Sequence, residues 1–245
     1  MEHEHEHEFV LEIPEFEHLS YEVEEGIALV TLKRPEALNA LSQSLLEELA
    51  EIPELVQQDP EVRAVIFTGE GKAFAAGADL KEIAAIKDPF MGREYALFGQ
   101  RVFAEIAALP VPTIAAINGI CVAGGLALAC SCDVQIAARS ASFGIPEAKI
   151  GIASSMIPSL LFGKVSLAKL RYLLVTGKSI TADEADGIGM ISEVVDDDRL
   201  QDAEQTRADD LVEQDRRAQH DQARLDVVLG AHGFTQPAGQ AHGVV

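Results

Sequence analysis

Three short segments rich in glycine and alanine contain the residues most able to do chemistry. They are residues 72–80 (KAFAAGADL), 118–126 (NGICVAGGL) and 142–151 (SFGIPEAKIG). Each segment places small residues at the end of a predicted strand, where a helix begins. The first N–H groups of a helix have no acceptor within that helix, and two such groups that converge on one point can bind a developing oxyanion. The sequence therefore predicts stabilisation of negative charge by the backbone.

A single glycine-rich loop is not a specific signal, because most such loops only allow two parts of the chain to pack closely. The pair Gly124-Gly125 lacks the G-x-G-x-x-G spacing of dinucleotide-binding proteins. No P-loop motif is present in the sequence. The chemistry of the three segments must therefore be judged from their combination.

Short β-branched runs and helical patterns make up the elements that must position these segments. The predicted hairpin is 21–24 with 26–32, the further strands are 62–68, 113–118 and 133–138, and the helices are 42–58, 93–109 and one that Gly124-Gly125 opens. Ser42 is a candidate N-cap. Pro53 predicts a kink or two shorter helices, since a proline removes one helical hydrogen bond. The alternation predicts an α/β layered domain.

The 245 residues suit one large domain or one domain with a helical extension, and a hydrophobic content of 48% suffices for a sizeable core. We predict a core domain over residues 10–195 and a helical region with a frayed tail over residues 196–245, in which Leu200 and Leu211 are sparse apolar anchors. Residues 1–9 begin with alternating Glu and His and are interpreted as an expression tag. A natural metal-binding tract is the alternative.

Charge and cysteine content restrict the classes of partner. The net charge of −21, four charges of which belong to the presumed tag, disfavours nucleic acid and anionic membrane as partners. An anionic ligand would need help from a few Lys or Arg side chains or from helix N-termini. No apolar run reaches the roughly 18 residues of a membrane span, and no secretory signal peptide is visible.

The three cysteines, Cys121, Cys130 and Cys132, lie close together in an apolar stretch. An odd number without a spaced framework argues against a disulfide scaffold and predicts a reducing, cytoplasmic setting. The C-x-C pair could suggest a metal, but no His or further Cys lies nearby. We therefore predict that these residues are buried small hydrophobes and that the chain has no metal site.

The ordered set F-A-A-G-A-D, N-G-x-x-x-A-G-G, a C-D strand and S-F-G-I-P-E-A-K-I-G resembles the crotonase (enoyl-CoA hydratase/isomerase) superfamily. The resemblance covers roughly residues 16–195 and includes the element Arg34-Pro35…Asn39-Ala40-Leu41. It implies a crotonase-like spiral of ββα units, a coenzyme A thioester as substrate, and no further cofactor. It also implies a homotrimer or a dimer of trimers.

The resemblance also implies roles for individual residues. Ala78 and Gly124 match the two positions whose N–H groups form the oxyanion hole, and such a hole polarises a thioester carbonyl. Loss of one such donor typically costs roughly 3–4 kcal/mol of transition-state stabilisation. The positions that cradle the adenine end of coenzyme A in relatives are matched by Lys72, Ala76 and Leu80. A solvated surface lysine is the alternative interpretation of Lys72.

The choice of reaction depends on two positions. Relatives that hydrate a double bond use two glutamates, and the second of these aligns with Glu147, whereas the first is replaced by Ala127. A lone carboxylate can still move one proton, which is what isomerisation of an enoyl-CoA double bond requires. The resemblance therefore favours an isomerase that uses Glu147. A hydratase that uses Glu147 and a second group, or a non-catalytic acyl-CoA binder, is the alternative.

Some charged residues have simpler interpretations. Glu147 could cap a helix or pair with Lys149, and Asp79 is expected to cap the next helix or pair locally. The candidates for a second acid are Glu82, Glu94 and Tyr95. In the C-terminal region, Arg207, Arg216, Arg217 and Arg224 are expected to solvate a helix face, with contacts to the phosphates of the coenzyme as the alternative.

Overall fold

The computed structural model describes residues 13–154 and 156–214. The strands are β1 (Leu19–Glu24), β2 (Ile27–Leu32), β3 (Ala64–Gly69), β4 (Ala73–Ala75), β5 (Thr113–Ile117), β6 (Ile120–Val122), β7 (Val134–Ala138), β8 (Ser142–Gly144), β9 (Ser179–Thr181) and β10 (Glu193–Val195). The helices are α1 (Gln43–Gln58), α2 (Leu80–Ala85), α3 (Pro89–Ala107), α4 (Gly124–Ser131), α5 (Ile157–Leu161), α6 (Leu167–Thr176), α7 (Ala182–Gly187) and α8, which includes residues 200–214. The predicted tag lies outside the described residues.

The strands form two sheets. The larger sheet has six strands in the order β1-β2-β3-β5-β7-β10, and only the hairpin of β1 with β2 is antiparallel. The smaller sheet has the order β4-β6-β8-β9, in which β4, β6 and β8 are parallel. Three times in succession the chain leaves a strand of the large sheet, forms the next strand of the small sheet and then enters helical structure. This repetition is the predicted spiral of ββα units.

The main core lies where the helices α1, α3 and α4 cover one face of the large sheet and the small sheet. Helix α1 follows the prediction at both ends, and the side chain of Ser42 accepts a hydrogen bond from the N–H of Leu45. The interpretation as two shorter helices is wrong, because α1 continues through Pro53. Pro53 is itself buried, and the buried side chains of Leu49 and Ile52 beside it hold the helix against the core despite the lost hydrogen bond.

Helix α3 begins four residues earlier than predicted. Asp88 caps it by accepting a hydrogen bond from the N–H of Phe90 at 2.9 Å, and Pro89 occupies the first helical position. Pro89 is tolerated there because the first helical position needs no intrahelical donor. The three cysteines are buried and free, and burial raises the pKa of the Cys130 thiol to about 11.

The opposite face of the large sheet is covered by α8. Leu200, Ala208 and Val212 are buried there against a second cluster of aliphatic side chains from the sheet. Leu200 was predicted as an anchor, but Ala208 and Val212 were not. Glu204 lies between them on the same helical face and interrupts the apolar pattern. In the described residues no helix has both the length and the hydropathy needed to cross a membrane.

Glu204 makes the packing of α8 sensitive to pH. It is only 8% exposed, and burial raises the pKa of its carboxyl from 4.5 to about 7. Because the folded-state pKa is raised, folding is opposed by the charged form, so stability falls as pH rises from about 4.5 through about 7. We expect Glu204→Gln to stabilise the protein by about 1–3 kcal/mol at about pH 8 and to have little effect near pH 4.5.

Urea unfolding and hydrogen exchange of residues 200–214 at the two pH values measure this effect. Asp209→Asn, a change at an exposed position of the same helix, is the control and should show no such dependence. Equal stabilisation by Glu204→Gln at both pH values would contradict the argument.

Candidate active site

The segments that carry Ala78 and Gly124 lie directly against each other. A side chain placed on Gly124 would put its Cβ 3.6 Å from the backbone nitrogen of Ala78, and one on Gly77 would approach the nitrogen of Gly124 to 3.2 Å. Neither the N–H of Ala78 nor that of Gly124 donates a hydrogen bond to any residue that the structure describes. Two free backbone donors are therefore adjacent, as an oxyanion hole requires.

The N–H of Ala78 is oriented by its two neighbours. Leu41 donates its N–H to the carbonyl of Gly77 at 2.8 Å, and its own carbonyl accepts the N–H of Asp79 at 3.2 Å. This bridge holds the peptide groups on either side of Ala78. Tyr95 of α3 donates its hydroxyl to the same Leu41 carbonyl at 2.8 Å, which ties the loop to the helix.

The element around Arg34 and Asn39 holds Leu41 in place. Asn39 is buried, and its side-chain amide donates to the carbonyl of Ala73 at 2.7 Å. The guanidinium of Arg34 donates to the carbonyl of Ala40 and to the carboxylate of Asp79, the latter at 3.1 Å. Burial alone would raise the pKa of Asp79, but the N–H of Lys81 and the Arg34 guanidinium hold it below its usual value.

Asp79 is thus a structural residue. Its carboxylate accepts a hydrogen bond from the N–H of Lys81 at 3.0 Å and caps α2. The prediction of a helix cap or a local ion pair for Asp79 is confirmed on both counts, because it also pairs with Arg34.

Gly124 and Gly125 open α4 for different reasons. A Cβ on Gly125 would lie 2.0 Å from the carbonyl oxygen of Ala75, so α4 can approach β4 only because this residue has no side chain. Gly124 has looser surroundings, since a Cβ there would lie 3.1 Å from a terminal methyl group of Leu41. The preceding residue, Ala123, has a φ of +51°, a strained conformation for alanine that turns the chain into the helix.

A cavity of about 710 Å³ adjoins the paired N–H groups. It brings together five of the predicted site residues, namely Ala76, Ala78, Leu80, Gly124 and Glu147. Most of the other lining side chains are aliphatic or aromatic, and they come chiefly from α2, α3 and the segment that follows β8. Lys72 is not among the residues of this cavity. Its side chain is exposed to solvent, so a contact with the adenine end of coenzyme A and a solvated surface lysine both remain predictions for Lys72.

Glu147 lies in a short 3₁₀ helix, Pro146–Ile150, and lines the cavity. Its carboxylate oxygen Oε2 is buried and has no hydrogen-bond partner among the described residues. The side chain caps no helix, and none of the ion pairs between described residues joins it to Lys149. A buried acceptor without a partner costs about 1–3 kcal/mol, so its presence in a cavity calls for a functional explanation.

The predicted second acids are engaged elsewhere. Glu82 accepts the N–H of Gln43 at 2.8 Å, and Glu94 pairs with Arg93 at 2.8 Å. Tyr95 does line the cavity, but its hydroxyl donates to the Leu41 carbonyl, and burial together with the charge of Glu82 raises its pKa to about 12. Ala127 is fully buried in the core and is not a lining residue.

Two lysines that were not predicted to bind a ligand lie on the cavity lining. Lys87 follows α2, and Lys149 follows Glu147 by two residues. An anionic ligand in the cavity could therefore contact both ammonium groups. Lys87 lies in none of the three motifs. Arg207, by contrast, pairs with Glu193 at 2.8 Å on the far side of the large sheet. The other three predicted arginines lie outside the described residues.

The family model for enoyl-CoA hydratase/isomerase matches residues 22–224. The chain belongs to this family. The match includes the strand pairs that carry Ala78, Gly124 and Glu147. Within residues 13–154 and 156–214, no cluster of three His, Cys, Asp or Glu side chains could hold a metal ion.

Individual relatives agree with the family assignment. This family member is 36% identical over 200 residues to the short-chain-enoyl-CoA hydratase of Clostridium acetobutylicum, which covers 81% of this chain and 76% of the relative. It is 38% identical over 194 residues to the crotonyl-CoA hydratase of Syntrophomonas wolfei, with 76% and 72% of the two chains covered. The crystal structure of an enoyl-CoA hydratase from Mycobacterium smegmatis superposes with a TM-score of 0.78 at 34% identity and covers 80% of this chain and 77% of that one.

The different surroundings of the two glycines predict different effects of the same substitution. In Gly125→Ala the new methyl group would overlap the Ala75 carbonyl, and we expect a loss of about 3 kcal/mol in the free energy of unfolding. In Gly124→Ala the methyl group meets only a movable side chain, and we expect a change within about 1 kcal/mol. Denaturant titration measures both values, and equal losses would contradict the packing argument.

Proposed function

We propose that this protein isomerises the double bond of an enoyl-CoA, with Glu147 as the acid and base and with the N–H groups of Ala78 and Gly124 as the oxyanion hole. The observation that carries the proposal is that one cavity, mostly apolar, is lined both by the carboxylate of Glu147, whose buried oxygen has no described partner, and by two free backbone donors. Isomerisation needs one group that removes a proton and returns it, whereas the paired-glutamate route of hydration needs two.

The chemistry follows from where the charge moves. Glu147 would take a proton from the carbon next to the thioester carbonyl of a 3-enoyl-CoA, and the electrons of that C–H bond would pass into the carbonyl oxygen. The two N–H groups would stabilise the resulting oxyanion, helped by the dipole of α4, whose N-terminus lies at Gly124. Return of the same proton two carbons further along would restore the carbonyl and leave a 2-enoyl-CoA, with no atom gained or lost.

The apolar lining supports this reaction in two ways. With water kept away, hydrogen bonds to the oxyanion are stronger than in an aqueous site. Exclusion of water also lowers the chance that the dienolate takes its proton from solvent. Ala76 and Leu80 would contact the coenzyme at the entrance, and Lys87 and Lys149 would attract its phosphates despite the negative net charge of the chain.

An enoyl-CoA hydratase is the second candidate, and the names of the relatives favour it. Hydration would need Glu147 and a further group to hold the water. Asp88 is the other carboxylate among the described residues that line the cavity, and it already caps α3. The proposed assembly into a trimer or a dimer of trimers, the cytoplasmic location and the domain division at residue 195 remain predictions.

Glu147→Gln tests the role of the carboxylate. With a 3-enoyl-CoA as substrate, we expect kcat for isomerisation to fall by about 10²–10⁴-fold, because the amide cannot exchange a proton, while binding of a saturated acyl-CoA stays close to wild type. Glu94→Gln, which makes the same change at a carboxylate outside this cavity, is the control and should keep the wild-type rate. An isomerase rate within a few-fold of wild type in Glu147→Gln rules out the assignment.

Solvent labelled with ¹⁸O separates isomerisation from hydration. When the wild-type protein is incubated with a 2-enoyl-CoA in labelled water, we expect no enzyme-dependent incorporation of the label into the acyl chain, because isomerisation exchanges only protons. Mass spectrometry of the product measures it. Rapid incorporation that is lost in Glu147→Gln would establish the hydratase instead. Tight acyl-CoA binding without turnover of either substrate would identify a non-catalytic binder.

A further inference from the structure

The face of helix α3 that lines the cavity carries mainly small side chains. The residues that line it along one face include Gly92, Ala96, Gly99 and Phe103, which follow one another at intervals of four, three and four residues. Residues at these intervals lie on the same side of a helix. The first three of these residues have at most a methyl group, so the helix leaves an open path that ends at the Phe103 ring.

The two glycines are not required by the backbone. Neither has a positive φ. A Cβ on Gly99 would meet its nearest neighbour, the Cδ1 atom of Leu46, at 3.7 Å, and a Cβ on Gly92 would lie 3.7 Å from Ile86. Both are ordinary contact distances. Glycine destabilises a helix relative to alanine, so the gain from glycine here is the empty space in the cavity.

The length of the path can be read from the helix. Tyr95 marks the level of the oxyanion hole along this path, because its hydroxyl donates to the Leu41 carbonyl that positions Ala78. From Tyr95 to Phe103 the helix advances about 12 Å, at 1.5 Å per residue. An extended chain of single bonds advances about 1.2 Å per bond, since a residue of three bonds spans about 3.5 Å. The path from the oxyanion hole to Phe103 therefore takes at most about ten bonds, and an unbranched chain of about eight to ten carbon atoms fits within it.

Phe103 lies between two cavities. Together with Gln100 and Met156 it lines both the main cavity and a neighbouring cavity of about 250 Å³. Its side chain is buried, and the far cavity is bounded in part by Ala104 and Ala107 on the next turn of the same helix. Removal of the ring would join the two spaces.

Resting on the proposed function, we propose that Gly99 and Phe103 set the acyl-chain specificity of this site, and that its substrates are unbranched enoyl thioesters of about eight to ten carbons. Gly99 keeps the path open, and Phe103 closes its far end. Each methylene group excluded from an apolar site weakens binding by about fourfold. A larger side chain at position 99 should therefore shorten the acyl chain that fits, and a smaller one at position 103 should lengthen it.

The test is the affinity for saturated acyl-CoAs of increasing length, from butanoyl to tetradecanoyl, measured by calorimetry without any turnover. For the wild type we expect the tightest binding with octanoyl- or decanoyl-CoA. Gly99→Leu should weaken decanoyl-CoA by at least about tenfold and leave butanoyl-CoA unchanged. Phe103→Ala should move the optimum toward tetradecanoyl-CoA, and Phe103→Leu should do so to a smaller extent if the alanine variant does not fold.

Two variants on the same helix are the controls. Ile106→Ala removes a fully buried side chain outside either cavity, and Glu105→Leu adds a leucine on an exposed position. Both should keep the wild-type order of affinities. An unchanged order in folded Gly99→Leu and Phe103→Leu, or a wild-type preference for butanoyl-CoA, overturns the inference while the proposed function stands. If no acyl-CoA of any length binds, the proposed function itself fails.

Discussion

The structure depends on two backbone N–H groups that are held side by side without acceptors. Ala78 and Gly124 are only partly buried and line the cavity, so their N–H groups, which no described residue accepts, face a ligand site and not a packed core. The pair is held together because the neighbouring parallel strands β4 and β6 of the small sheet lead into the Ala78 and Gly124 segments, and because Gly125 lets α4 approach the Ala75 carbonyl. The fold as a whole therefore keeps the two donors adjacent and open to the cavity.

The hydrogen bonds of Leu41 link the oxyanion hole to the rest of the fold. Leu41 uses both its N–H and its carbonyl on the residues that flank Ala78, and the same carbonyl accepts the Tyr95 hydroxyl. Arg34 and Asn39 fix the approach to Leu41 through buried hydrogen bonds. Helix α3, which shapes the apolar path, is thereby tied to the oxyanion hole, so the reacting carbonyl and the acyl chain would be positioned by one connected set of contacts.

Few charged groups near the cavity are left without a partner. The described carboxylates near the cavity are mostly engaged by helix N-termini or cations, as Asp79, Asp88 and Glu94 illustrate. Glu147 differs, because its buried oxygen has no partner. An oxygen without a partner leaves this carboxylate available to a substrate in the cavity. This is the feature on which the proposed transfer of one proton depends.

The sequence by itself determined the family, the alternation of strands and helices, and the segments that meet at the site. These features depend on local spacing and on motifs whose residues lie close together in the chain. It also identified Asp79 as a structural carboxylate, because a helix cap is a short-range interaction. The continuation of α1 through Pro53 was not predictable, since the burial that compensates the lost hydrogen bond comes from other elements.

Only the tertiary structure decided what each candidate faces. Gly124 and Gly125 are the same residue type, but the structure gives them different roles. Gly125 is required for packing against the Ala75 carbonyl, whereas Gly124 borders the open N–H groups. The structure placed Lys87 on the cavity lining and Lys72 outside it. It also showed that Glu204 interrupts the apolar face of α8 without preventing the burial of that face. The path along Gly92, Ala96 and Gly99 was likewise invisible, because a glycine in a helix is informative only when the space beside it is known. Which side chains share a cavity is set by contacts between residues far apart in the chain, and local patterns do not encode those contacts.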